Sequence, residues 1–284
     1  MKILASDTSG SVCSVALSLG DGRYANREVA SPKTHSANYM PLLDSVLNDF
    51  SLDIGDVDLF AVVTGPGSFT GTRIAVTANK CFAYSLNKKC MAFDSLELMA
   101  YPYMKMKNTL LVPMINARNR RAFAAAYLGY ETVKEPKAET LDEIYKFLFE
   151  FVAKSPEIVN VIFITSEKFT DAETVFDEIH SSFNEAYKSG LVVGEPSENK
   201  KTVVKNKDNI VATISFTFLE TTALAINALR YAEEILHNTT IENLKGNDNL
   251  SDDIKRRLKA PQEIEVNYLA KTQAERLRDE KLNS

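Results

Sequence analysis

A short apolar run, Leu59 to Val63, breaks into "TGPGSFTG", where Gly65, Gly67 and Gly71 fall within seven positions, and an apolar-striped stretch follows at once. A strand that turns on glycines straight into a helix is the building unit of an α/β fold, because the helix must bury its stripe on the sheet it has just left. The flanking segments repeat that grammar. "KILASDTS" reads as a buried strand, and "CSVALSLGDGRYANREVA" alternates Val15, Leu17 and Leu19 with small or polar neighbours. Asp21-Gly22 then signals a hairpin. Tyr39, Leu43, Val46 and Phe50 fall at helical spacing behind Ser36 as N-cap, with Pro41 close enough to the start to be tolerated. "KCMAF" predicts a return strand and "SLELMAY" a short helix. The order β-β-β-α-β-α-β-α describes one α/β unit of about a hundred residues.

A second unit begins near Lys105. "TLLVPMINAR" and "RAFAAAYLGY" predict paired strands, "TLDEIYKFLFEFVAK" an amphipathic helix, "IVNVIFIT" a buried strand and "ETVFDEIHSSF" a further helix. Residues 195–209 are polar and predict a loop. Phe216 to His237 predicts one long helix striped by Leu219, Ala223, Ile226, Leu229 and Leu236. Two consecutive units that each open on paired strands imply a duplicated fold. The expected divisions are residues 1–103, a divergent second domain over 104–215, a long helix over 216–240 packing back toward the first domain, and a polar extension over 241–284. From residue 246 onward, basic and acidic side chains balance and large apolar ones are few, which predicts a docking or disordered tail that buries little.

Composition narrows the function classes. Of 284 residues, 45% are apolar and 25% charged, the balance of an ordinary globular protein. The net charge of −5 lacks the basic surplus that a protein gripping nucleic acid alone would need. Three cysteines without metal-ligand spacing fit a reducing compartment. Neither a signal peptide nor an apolar run of about 20 residues is present, so a cytoplasmic protein without a membrane partner is expected.

Glycine turns between a strand and a helix bind phosphate when backbone N–H groups at the helix start are free to face it. Here the spacing is G-x-G-x-x-x-G, which differs from the dinucleotide fingerprint, and Thr72-Arg73 stands where a P-loop would need its lysine. Ser68, Thr70 and Arg73 can each donate to an oxyanion. The residues alone leave two readings open, an anion cradle or a turn that only aims the helix.

"ILASDTSGSVCSVAL", "THSANYMPLLDSVL" and "GPGSFTGTRIAV" together resemble the TsaB family, also called YeaZ, of bacterial tRNA threonylcarbamoyladenosine synthesis. The likeness is dense from Met1 to about Ala100, thins through "INARNRRAFAAAY" and is faint beyond residue 130. It implies an α/β architecture of two actin/sugar-kinase/Hsp70-type domains, each a mixed sheet with flanking helices. In active members of that superfamily an acidic turn near the first strand faces ATP and its metal, and Asp7-Thr8-Ser9 stands there. Asn116 occupies the matching place in the second domain, and an amide brings no negative charge to hold magnesium. The nucleotide-facing set implied by the resemblance is Asp7, Thr8, Ser9, Gly65, Gly67, Ser68, Thr70 and Arg73, with any nucleotide at an interface shared with a partner.

The family's catalytic paralogue, TsaD, carries a metal-binding His-x-x-x-His after its own glycine helix. The equivalent stretch here, "FDSLELMA", has no histidine, and His35, His180 and His237 are far apart. Two imidazoles one helical turn apart can share a metal; isolated ones cannot. His35 therefore reads as a capping, packing or interface residue, His180 and His237 as ordinary helix-end histidines, and Cys13 as a packed thiol. No catalytic residue and no metal site is expected. What the resemblance implies is a non-catalytic subunit that binds TsaD, with the ATPase TsaE as a further partner. ATP and magnesium would belong to the assembly, tRNA would be met only through it, and a homodimer would form in the absence of TsaD. The pairing surface would be the helix over 36–50 and the one after the glycine turn, involving His35, Tyr39, Leu43, Phe69, Gly71, Ile74, Ala75, Ala78, Cys81 and Phe82. A superfamily small-molecule kinase and a metal-dependent peptidase are the rival readings; the first lacks its acidic pair and the second its histidine pair.

Overall fold

The computed structural model describes residues 1–30, 35–155, 157–167, 169–177, 199–205, 211–220, 225–246 and 250–269. The chain divides into two compact units: Met1–Pro102 with Thr222–Asn267, and Tyr103–Thr221 with Tyr268–Ser284.

In the first unit, β1 (Ile3–Asp7), β2 (Val12–Ser18) and β3 (Tyr24–Ala30) form an antiparallel meander, the second turn falling at Asp21-Gly22. Helix α1 (His35–Asn48) leads to β4 (Leu59–Val63), which pairs parallel to β1; α2 (Phe69–Ser85) leads to β5 (Lys89–Phe93), parallel to β4; and α3 (Ser95–Ala100) follows. Side chains alternate across a strand, so the sheet has two differently built faces. Leu4, Val15, Leu17, Phe60 and Val62 point to the face covered by α1 and α2, where they meet Tyr39, Leu43, Val46 and Val76. The other face carries a row of alanines in register, Ala16, Ala5 and Ala61 on neighbouring strands. Small side chains let a helix approach closely, and α6 (Ala225–Leu236) covers these strands with its own buried Ala225, Ala228 and Ala232.

In the second unit, β6 (Thr109–Asn116), β7 (Arg121–Leu128) and β8 (Glu131–Thr140) repeat the meander, α4 (Leu141–Lys154) leads to β9 (Asn160–Thr165), and helical residues 170–177 form α5. β10 (Asn199–Lys205) pairs antiparallel with β11 (Val211–Glu220), which lies parallel to β9. Thr140 and Glu143 close a capping box at the start of α4. Its stripe Leu141, Ile144, Tyr145, Leu148 and Val152 packs on Leu110, Val112, Met114, Val161 and Phe163.

After α6 come α7 (Ile241–Gly246), α8 (Asp252–Arg257) and a two-residue strand, β12 (Leu258–Lys259), which extends the first sheet beside β5. The sheets therefore run β12-β5-β4-β1-β2-β3 and β10-β11-β9-β6-β7-β8, the same five-strand order with one antiparallel edge strand added to each. This duplicated arrangement is the actin/sugar-kinase/Hsp70 architecture.

Four sequence expectations change. The long helix expected from Phe216 is a strand as far as Glu220, because Phe216, Thr217 and Phe218 pair residue by residue with β9, and β-branched and aromatic side chains favour that pleat over a helix. Residues 199–205, expected within a loop, are a strand supported by β11. Helix α1 begins at His35, so Ser36 lies inside its first turn rather than at the cap. The expected polar extension is part of the first unit from residue 241 to Asn267, and it buries Leu244, Leu250, Ile254, Arg257, Pro261 and Ile264. Few apolar residues suffice there because they are spaced to dock along β5 and α2. His180 lies outside the described residues.

Candidate functional site

The candidate site lies where β1, β4 and β5 end in the first unit. Parallel strands bring their following turns to one edge, so Asp7-Thr8-Ser9, "TGPGSFTG" and Asp94-Ser95 meet there. Asp7 Oδ1 accepts the Ser9 amide at 2.8 Å, which sets the turn after β1. Gly65 has φ of 105°, in the region open to glycine, and the Gly65–Pro66 peptide is cis. Ser68 caps α2, its Oγ accepting the Gly71 amide at 3.2 Å.

These turns pack on each other through backbone. A Cβ at Gly67 would overlap the carbonyl oxygen of Ser9, and one at Gly71 would overlap that of Thr8. The Ser68 amide donates to Ser9 O at 2.6 Å. Thr8 Oγ1 donates to Gly71 O at 2.6 Å and accepts from the Ala75 amide at 3.1 Å. Ser95 Oγ donates to Ser9 Oγ at 3.3 Å, and the Ser95 amide to Gly65 O at 2.8 Å. The space that a phosphate would need at these glycines is filled by the turn after β1.

The candidate nucleotide residues thus separate. Asp7, Thr8, Ser9 and Gly65 are buried, Gly67 is half-buried, and Ser68, Thr70 and Arg73 are exposed. Burial pushes the Asp7 carboxyl up to about 7, against weaker opposing hydrogen bonds from Ser9. Enclosed in this way, the turn does not fit a group that binds magnesium or a triphosphate directly. Burial likewise raises the Cys13 thiol to about 11, with the nearby Asp7 charge adding to the shift, so it stays protonated and unreactive near neutral pH.

The expected pairing residues also separate. Tyr39, Leu43 and Ala75 are core, Gly71 is closed against Thr8, and His35 is 7% exposed, its Nε2 lying 2.9 Å from Gly10 O. Tyr39 is held from within by Ser6 Oγ at 2.9 Å and Asn79 Nδ2 at 3.0 Å. These five are correct for the helices but wrong for their outer surface, because the inward stripe is the more apolar one and dominates a sequence pattern. Ile74, Ala78 and Phe82 are half-buried, while Phe69 and Cys81 are exposed. Thr70, Arg73, Ile74, Thr77 and Ala78 line an open groove on α2, and the Arg73 guanidinium lies 3.8 Å from the Phe69 ring centroid.

Several supporting residues gave no functional signal in the sequence. Asp94 caps α3 through Leu96 and Glu97, a pattern an N-cap rule would find; burial raises its carboxyl to about 7. Asn267, 173 positions away, donates to Asp94 Oδ2 at 3.0 Å and through its amide to Thr64 O at 2.7 Å. Arg257, 3% exposed, grips both carboxylate oxygens of Glu97 at 2.7 and 2.6 Å. No local pattern announces either long-range contact.

The family model described as "TsaD: tRNA N6-adenosine threonylcarbamoyltransferase" matches residues 28–275. The tRNA threonylcarbamoyladenosine biosynthesis protein TsaB of Bacillus subtilis (strain 168) is 36% identical over 127 residues, 45% of this chain and 55% of that protein. The tRNA N6-adenosine threonylcarbamoyltransferase of Brachyspira hyodysenteriae (strain ATCC 49526 / WA1) is 25% identical over 264 residues, covering 82% of this chain and 76% of its own. A crystal structure described as an uncharacterized protein with similarity to peptidase YEAZ from Pseudomonas aeruginosa superimposes with a TM-score of 0.61 at 16% identity, covering 95% of this chain and 99% of that one, a likeness of fold. The chain spans about half the length of its TsaB relative. The TsaD pattern runs through nearly all of the chain and the likeness to TsaB proteins through about half of it, so the chain belongs to the family of TsaD-related proteins that this model describes.

Proposed function

We propose that this protein is a non-catalytic subunit of tRNA threonylcarbamoyladenosine synthesis, pairing with TsaD through the outer face of α2 and the adjoining part of α1. The observation that carries the reading is the groove of Thr70, Arg73, Ile74, Thr77 and Ala78, flanked by Phe69 at 43% exposure. A helix that has already buried one stripe on its sheet and still presents a shaped, partly apolar second face suits a protein partner. On this reading the glycine turn sets the direction of α2. Gly67 and Gly71 are required by the close approach of the turn after β1, which supports positioning over phosphate binding. The protonated Cys13 and the internally bonded His35 support a supporting role over catalysis. ATP and magnesium then belong to the assembly, TsaE joins it, tRNA is met through it, and the same face pairs two copies when TsaD is absent. The setting is the cytoplasm.

Co-purification of the full chain with the same organism's TsaD tests this. Wild type should form a complex that Ala78→Arg and, at a more exposed position, Thr77→Lys both weaken by at least about tenfold, with thermal unfolding unchanged. A wild-type chain that ignores TsaD, or folded variants that still pair normally, would sink the reading.

A further inference from the structure

At the opposite end of the first sheet, where β4 and β5 begin, a second concavity forms. Tyr84 in the last turn of α2, Asn87 just beyond it, the short α7 and residues 260–262 border about 450 Å³ with the first residues of those strands. A five-residue strand is about 16 Å long, so this cavity is separated from the Asp7 turn by the length of the sheet. Its volume falls within the roughly 300–1,000 Å³ range of small-ligand sites.

Four charged side chains line it: Asp58, Lys88, Lys89 and Lys245. The Asp58 carboxylate is already engaged, accepting the Lys2 amide at 2.8 Å and lying 3.9 Å from Lys88 Nζ. Among the described residues, Lys89 and Lys245 have no carboxylate within ion-pair distance. The wall is thus formally two charges positive in a chain whose net charge is −5. Ammonium groups converging on a concavity concentrate anions there and form charge-assisted hydrogen bonds to them. Tyr84, 66% exposed, lines the same space and offers a ring on which a planar group can stack. A hollow of this size, open on one side, suits a small anion better than a polynucleotide, which needs a continuous basic groove.

We propose that this cavity binds a small phosphorylated ligand of up to mononucleotide size. Lys89 and Lys245 hold the phosphate, Lys88 is steadied behind them by Asp58, and Tyr84 receives the planar part. Such a ligand links α2 to the 241–262 segment, so its binding also stabilises the first unit.

Calorimetric titration of the full-length protein with inorganic phosphate, AMP and adenosine tests the proposal, with Lys89→Gln and Lys245→Gln as variants and thermal unfolding as the check on folding. Either glutamine keeps the alkyl stem and removes the charge. AMP should bind more tightly than phosphate, adenosine far more weakly than either, and each variant should weaken AMP by about tenfold. No binding of phosphate or AMP at about 10 mM, adenosine binding equal to AMP, or folded variants that bind AMP as wild type does would each overturn it. Lysine-dependent capture of a short single-stranded RNA without AMP binding would also overturn it, reassigning the surface to a polynucleotide. Because these lysines lie away from the Thr70–Ala78 groove, complex formation with TsaD should be unchanged in both variants, which separates this result from the pairing test.

Discussion

The two units lay five strands in the same order, yet the turn that closes the first strand of each is set in opposite surroundings. Asp7 Oδ1 accepts the amide of Ser9 at 2.8 Å, and Asn116 Oδ1 accepts the amide of Arg118 at the same distance. The local device is identical, a short polar side chain bonded to the backbone two residues on. Asp7 is sealed beneath the glycine turn, however, while Asn116 is half-buried and leads into Arg118, Asn119 and Arg120, all exposed and all with φ between 53° and 63°. The group that pays for burial is therefore in the buried turn, and the neutral amide is in the open one. Stability alone would choose the reverse. The comparison teaches that an Asx turn fixes backbone direction in either setting, whereas burial decides what its carboxyl costs.

The largest effect should come from disturbing the seal over the turn after β1. Gly71→Ala drives a methyl into the Thr8 carbonyl oxygen, a backbone atom that cannot swing aside, and should destabilise the first unit by ~4 kcal/mol in denaturant unfolding. Gly129→Ala in the second unit meets nothing nearer than Met104 O at 3.7 Å and should cost about 1 kcal/mol, the strain of φ at 62°. Equal losses would refute the claim that close approach, rather than backbone conformation, fixes glycine at 71.

A second disturbance reaches the same unit from the far end of the chain. Arg257→Met leaves Glu97 without its bidentate partner and should cost about 3 kcal/mol. It should also speed proteolysis after residue 246, since β12 and Asn267 are held through the same segment. Unchanged cleavage would show that the segment docks without this ion pair.

The mildest substitution exchanges the two turns' side chains. Asp7 has a raised folded-state pKa, near 7 against an ordinary 3.8. The folded chain thus holds a proton that the unfolded chain has already lost, and stability falls as pH rises from about 4 through about 7. Asp7→Asn should therefore stabilise at pH 8, by up to about 4 kcal/mol for a shift of that size, and by almost nothing at pH 4. Asp94, raised to about 7 by burial, leaves a residual slope of the same sign. The reciprocal Asn116→Asp, half-exposed, should change stability by less than ~0.5 kcal/mol. A stabilisation by Asp7→Asn that is the same at both pH values would contradict the burial argument.

Much of this was legible locally. The hairpin at Asp21-Gly22 and the amphipathic α4 each rest on contacts within a few residues, and both are legible in the sequence, whereas Ser68 reads there as an anion donor and not as the cap of α2. Sequence reasoning misread Phe216–Glu220 because that segment's state is decided by β9, more than fifty positions away. It offered Tyr39, Leu43 and Ala75 as surface because periodicity locates a helix's apolar stripe without saying what covers it.

The strand-and-helix order of residues 1–100, the glycine turn and the family likeness are legible in the sequence, since propensity, capping and turn chemistry act over short separations. It takes long-range packing to make the turn after β1 fill the glycine cradle, to bury Asp7 there, and to bring residues 250–267 into the first unit. Those outcomes depend on burial and on hydrogen bonds between residues up to about 200 positions apart, and no local pattern encodes which distant groups will exclude water from a given side chain.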